Sequence, residues 1–190
     1  MDLLIQLLAL VFTVLALVPA AAHVIELPNK LPLPRDAYLS VQRIYRGWSY
    51  AGFAVIAAAL FTLWLAIDTE GRARWPAVIA FLAILGTQAL FWSITFPVNR
   101  RTHNWTEAPE DWERLRDRWE FSHAASALLN FIALVGVALA ILGLTHLSVC
   151  DAFDDSGSSE ALTCPHEMGN PGPGCRPADR RFRLRPPRQR

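Results

Sequence analysis

The sequence predicts an all-α protein, a four-transmembrane-helix bundle followed by a disordered C-terminal tail, and three observations lead there. The 190-residue chain is 53% hydrophobic and only 18% charged, against about 25% charged in a typical soluble domain. It holds four uncharged windows, 3–22, 47–67, 75–99 and 124–145, of 20, 21, 25 and 22 residues. A helix crossing a hydrocarbon core of roughly 30 Å needs about 20 such residues. The charge density also doubles near Cys150: residues 1–150 hold 11 basic and 11 acidic side chains, and residues 151–190 hold 7 and 6. The formal net charge of +1 argues against a nucleic-acid partner, which would need a basic surplus to neutralise phosphates.

Each element has its own justification. The first window is a continuous apolar run preceded only by Asp2; a signal peptide would carry a basic n-region, so an uncleaved span is expected. The second lies between Arg46 and Asp68. The third ends near Pro97, whose ring would clash with the Ser93 carbonyl and bend the helix. The fourth is introduced by Pro109 with Glu110, Asp111 and Glu113, a proline and acids suited to a first helical turn. A helix from about Pro109 to Leu144 would be roughly 50 Å long, so its first turns would stand clear of the bilayer. Trp105, Trp112 and Trp119 would cap that end or form an interfacial belt. Residues 1–149 are thus expected to form the transmembrane domain. Residues 150–190, with six prolines, four glycines and mixed charge, are expected to be a disordered tail. Cys164, His166 and Cys175 in that tail match no zinc-site spacing.

Basic residues in short loops set orientation. The first and third loops carry nine Lys or Arg, from Lys30 to Arg118, and the second carries only Arg72 and Arg74. With the tail set aside, the first and third loops should face the cytoplasm, in a multi-pass protein of a bacterial inner membrane. Counting the seven arginines from Arg176 on makes the tally nine against nine and leaves the orientation open. Polar side chains converge on that same side. Helical spacing of three or four gives the row Gln6, Ala9, Thr13, Ala16, Ala20, His23 on the first helix, with Glu26 one turn on. It gives Tyr38, Gln42, Tyr45, Ser49, Gly52 on the second, Gln88, Trp92, Thr95, Asn99 on the third, and Arg116, Glu120, His123, Ala127, Asn130 on the fourth. All four rows run inward from one end, which describes a polar funnel opening into the bundle.

Ionisable groups near lipid are costly and generally face a bundle interior, so His23, Glu26, Glu120 and His123 are the catalytic candidates, with Gln42, Tyr45 and Asn130 lining the funnel. The His-x-x-Glu and Glu-x-x-His pairs resemble half of a di-metal carboxylate site, but the other two helices lack acids within their spans. A mononuclear metal, or a haem between His23 and His123, remains open, although the sequence requires no cofactor. Without metal, a histidine beside a carboxylate is a general base with an orienting partner, suited to taking a proton from an acidic, apolar substrate.

Four motifs carry a resemblance: His23-x-x-Glu26-x-Pro28-x-Lys30; Tyr38-Leu39-x-Val41-Gln42-x-Ile44-Tyr45-Arg46-Gly47-Trp48; Phe96-Pro97-x-Asn99-x-x-Thr102-x-Asn104-Trp105; and Asp111-Trp112-Glu113-x-Leu115-Arg116-x-x-Trp119-Glu120-x-x-His123. They look like the small bacterial membrane proteins of unknown function grouped with the fungal anthrone oxygenases, over roughly residues 1–146. The resemblance implies a four-helix membrane bundle. It also implies, for some members, oxidation of an anthrone by dioxygen. Two readings follow. In one, an oxygenase-like oxidoreductase takes a quinone-like substrate from the bilayer; His23 or His123 is the base, Glu26 and Glu120 orient, and Asn99, Asn104 and Arg116 hold substrate oxygens. In the other, a non-catalytic membrane component docks a partner protein or a lipid head group.

Overall fold

A computed structural model describes residues 3–155, and every regular element among them is helical. The elements are α1 (Leu3–Lys30), α2 (Arg35–Gln42), α3 (Ala51–Asp68), α4 (Arg74–Leu90), α5 (Phe96–Arg101) and α6 (Trp112–Asp155). A π-turn, Phe91–Thr95, joins α4 to α5 without a break. Of the tail expected at 150–190, residues up to Asp155 continue α6, and the rest lies outside the described residues.

Among the described residues, three spans are long and apolar enough to cross a membrane: Leu3–Lys30, Gly71–Arg101 and Trp112–Gly143. The second expected span is different. Of the expected window 47–67 only the part from Ala51 is α-helical (α3), because the chain before it does not continue as α-helix. Gly47 adopts φ +90, a left-handed conformation open to glycine, and 3₁₀ turns lie on either side at Arg43–Tyr45 and Trp48–Tyr50. The row from Tyr38 to Gly52 is therefore not one helical face.

The long helices form a ring in which α1 packs on α3 and α6, and α4 packs on the same two. Small residues make the seams. On α1 the buried positions are Ala9, Thr13, Ala16, Ala20 and His23, the row expected from the sequence. Of these, Ala9 and Ala16 cluster with Ala58 and Leu65 of α3, Ala77, Ala80 and Ile84 of α4, and Ala133, Val137 and Ala140 of α6. Large apolar side chains such as Val18, Leu60, Trp64, Leu82 and Phe131 point outward. In lipid there is no gain from hiding them, and close backbone approach through small residues supplies the packing. Buried hydroxyls bond back to their own helices, Thr13 to the Ala9 carbonyl at 2.6 Å and Thr62 to Ala58 at 2.7 Å, so they leave no polar group unsatisfied.

The bend expected at Pro97 is absorbed by the π-turn, in which the Phe96 amide donates to the Phe91 carbonyl. The extra residue rotates the helix surface. Trp92 consequently faces outward while Thr95 is buried against Ser122 at 2.9 Å, so the expected row from Gln88 to Asn99 is split. The last helix starts at Trp112 rather than Pro109. Pro109 instead closes a turn, its carbonyl accepting from the Trp112 amide at 3.0 Å. Asp111 beside it bonds Arg114 at 2.6 Å and Arg101 at 2.9 Å, which holds its carboxyl below the usual range.

The tightest seam is α6 against α4, where a Cβ on Gly136 would stand 2.7 Å from the Pro76 carbonyl oxygen and 3.1 Å from the Ala80 Cβ. Gly136→Ala must push these helices apart and is expected to destabilise by about 1–3 kcal/mol. Gly52→Ala, with nothing within 4 Å, is expected to be neutral or stabilising by up to about 1 kcal/mol. Thermal unfolding of the two variants in detergent checks the contrast.

Candidate functional site

The polar end of the bundle is organised around a lysine. Lys30 closes α1 and is 3% exposed, seven residues past His23 on the buried row. Its Nζ lies 2.9 Å from Glu120 Oε2, 3.0 Å from His23 Nδ1, 3.2 Å from Tyr45 Oη and 3.5 Å from Glu26 Oε2. Glu120 is 1% exposed, and its other oxygen accepts from Tyr38 Oη at 3.0 Å. Tyr45 in turn donates to Glu26. An ammonium only donates, so His23 Nδ1 accepts and the ring proton sits on Nε2.

Around this network stand rings. His23 and His123 stack with centroids 4.2 Å apart and planes 23° apart. Trp119 meets both edge-on, at 4.9 and 4.3 Å, and Trp48 and Tyr45 close the remaining side at 5.9 and 4.5 Å from His23. The ammonium also lies 5.0 Å from the Tyr45 ring centroid and 5.7 Å from that of Trp119, within cation–π range.

A second layer covers the first. Tyr38, Val98, Trp105, Leu115 and Trp119 form a buried cluster over the polar end. Trp105 reaches it from a loop in which His103, Asn104 and Trp105 all have positive φ. Three consecutive non-glycine residues in that region cost roughly 1–2 kcal/mol each. Thr102 fixes the turn: its hydroxyl bonds the Val98 carbonyl and accepts from the Trp105 amide. The tryptophan cap expected from the sequence is thus present, with Trp112 at its margin, 6.0 Å from Tyr38.

The candidates are distributed as follows. His23, Glu26, Glu120, His123 and Tyr45 meet in one cluster. Gln42 is buried beside Tyr38, and its Nε2 has no partner. Asn99 accepts from Trp119 Nε1 at 2.8 Å and so positions that ring. Asn130 lies deeper and donates to the Ala16 carbonyl at 3.4 Å, tying α6 to α1. Arg116 lies over the Trp112 ring and pairs with Asp117. Asn104 is exposed on the strained turn. Lys30 and Tyr38 are the central residues that motif reasoning left without a role; extending the α1 row by one heptad from His23 reaches Lys30.

Among the described residues no group of three His, Cys, Asp or Glu could hold a metal ion. The reason is local: the Lys30 ammonium stands where a cation would bridge Glu120, Glu26 and His23. A haem between the histidines does not fit either, because their rings lie face to face instead of pointing nitrogens at a shared iron. Comparison with family models, with curated proteins and with solved structures finds no match.

Removing one member of a buried ion pair strands the other charge, at a cost of about 3–5 kcal/mol. Lys30→Met and Glu120→Gln should each destabilise strongly, and the double variant should lose much less than the two together. Denaturant unfolding of the four proteins checks the coupling. Burial and the adjacent carboxylates Glu120 and Glu26 push the Tyr38 and Tyr45 phenols above their ordinary value of 10.0. Below about pH 10 they contribute no pH dependence; above it the unfolded chain loses protons that the native state keeps, and stability falls. On an alkaline ramp, phenolate absorbance from these two rings should rise only as the fold is lost, and Tyr38→Phe or Tyr45→Phe should each remove one ring's share of that step.

Proposed function

We propose that the polar end of this bundle is an acid–base site that takes a small, apolar, phenol- or ketone-like molecule from the bilayer and oxidises it with dioxygen, in the manner the anthrone oxygenase resemblance suggests. The observation that carries the reading is a cation and two histidines packed inside an aromatic wall. One of them, His123, has a buried Nε2 without a partner. His23 is already engaged by Lys30 through Nδ1. His123 is therefore the base.

The chemistry is balanced without a resident cofactor. His123 Nε2 takes a proton from the substrate methylene that is conjugated with the carbonyl through the aromatic rings. The electron pair moves onto that oxygen as an enolate, and the Lys30 ammonium offsets the new charge in a low-dielectric setting. Dioxygen then adds to the electron-rich carbon. The protonated His123 returns its proton to the resulting peroxide, and loss of water from that hydroperoxide turns the methylene into a carbonyl, so one O2 is consumed and one H2O released. Glu120, held by Tyr38 and Lys30, keeps the ammonium in place. Trp119, fixed by Asn99, and Trp48 supply flat faces for an aromatic substrate.

Access fits a ligand dissolved in lipid. The cluster is closed above by the tryptophan layer, whereas on the side of residues 43–50 Glu26 and Tyr45 are only half-buried and Trp48, Ile44 and Ile25 are exposed. The left-handed Gly47 interrupts the helix there. The protein is accordingly read as a multi-pass component of a bacterial inner membrane.

Oxygen uptake by the detergent-purified protein with anthrone as probe tests the proposal. Turnover should consume one O2 per anthrone, and His123→Ala should lower kcat/KM by about 10²–10⁴-fold without loss of helicity. Absence of both turnover and anthrone binding, or full activity in His123→Ala, would overturn it.

A further inference from the structure

A second feature lies on the opposite flank, where α4, the π-turn and α5 run beside α6. One groove is lined by Leu90, Ile94, Phe121 and Ala125, with Ser122 at its base and Asp117 and Arg118 at its mouth. A second, along the same helix and one turn further on, is lined by Phe96, Pro97, Arg100 and Arg101. Neither includes a residue of the Lys30 cluster.

The sequence of chemistries along this flank matches the depth profile of a lipid leaflet. The first groove is almost wholly apolar. Trp92 and Phe96 follow, exposed and packed together at 5.1 Å, at the level where aromatic belts form. Arginines come next, and Arg101 ends the apolar span. Their charges are not all consumed locally. Asp111 bridges Arg101 and Arg114, and Asp117 pairs with Arg116. Among the described residues neither Arg100 nor Arg118 has an acidic partner, and both are exposed. Basic pockets between helices on the side rich in Lys and Arg bind anionic head groups, each cation contributing about fivefold in affinity.

We propose that this flank holds one anionic phospholipid, its phosphate on Arg100 and Arg118 and one acyl chain in the groove between Leu90, Ile94, Phe121 and Ala125. The assignment does not rest on the activity proposed above. Charge complementarity selects the head group, and the apolar groove selects a lipid over a free phosphate.

The test is native mass spectrometry of the full chain released into detergent from nanodiscs holding equal phosphatidylglycerol and phosphatidylcholine. The expected result is retained phosphatidylglycerol in preference to phosphatidylcholine. R100Q/R118Q, at exposed positions, should reduce that adduct about tenfold or more, and Ala125→Trp, which fills the groove, should also reduce it. His123→Ala should leave it unchanged. Equal retention of the two lipids, an undiminished adduct in R100Q/R118Q or in Ala125→Trp, or displacement by excess inorganic phosphate would overturn the assignment.

Discussion

Lys30 and Glu120 place opposite charges 2.9 Å apart at one end of a membrane bundle, both almost wholly shielded from solvent. Taking either out of water alone would cost several kcal/mol, and the surrounding geometry follows from offsetting that cost. The ammonium is within hydrogen-bond distance of His23 and Tyr45 and forms an ion pair with the Glu120 carboxylate. The second carboxylate oxygen takes the Tyr38 hydroxyl. Because Lys30 ends α1 and Glu120 lies near the start of α6, the pair also fixes the register of those two helices and brings His23 against His123.

The same constraint explains the connections. Tyr38 and Tyr45 must reach the charges from between α1 and α3. The chain between these helices therefore folds as short α and 3₁₀ segments broken at Gly47, shortening the apolar part of α3. On the other side Trp105 must cover Tyr38, and three residues accept left-handed backbone to deliver it. Local strain of this kind persists only where packing over-determines it. Here the indole lies 5.0 Å from Tyr38 and 5.8 Å from Trp119.

Charge is thus used in two ways at one end of the molecule. Inside the bundle a single cation is matched by carboxylates and enclosed in rings. On the outer flank Arg100 and Arg118 are exposed and, among the described residues, have no acidic partner. Burial separates the roles, since a paired charge in low dielectric acts at short range while an exposed arginine is available to a head group.

The helical class, the small-residue face of α1 and the inward rows of α1 and α6 were legible in the sequence, because hydropathy and a period near 3.6 are properties of the chain itself. His23, Glu26, Glu120 and His123 could be grouped for the same reason. The sequence did not reveal that Lys30 turns inward, since a lysine at the end of a span ordinarily extends to water and only the partner on α6 holds it inside. It did not reveal the π-turn, which rotates Trp92 away from Thr95, or the break at Gly47. Those depend on which neighbour each backbone must accommodate. Nor could spacing alone distinguish a metal site from a lysine-centred one. The ligand types are the same, and what separates them is the position of one ammonium, 3.0 Å from His23 and 2.9 Å from Glu120, which tertiary packing alone decides.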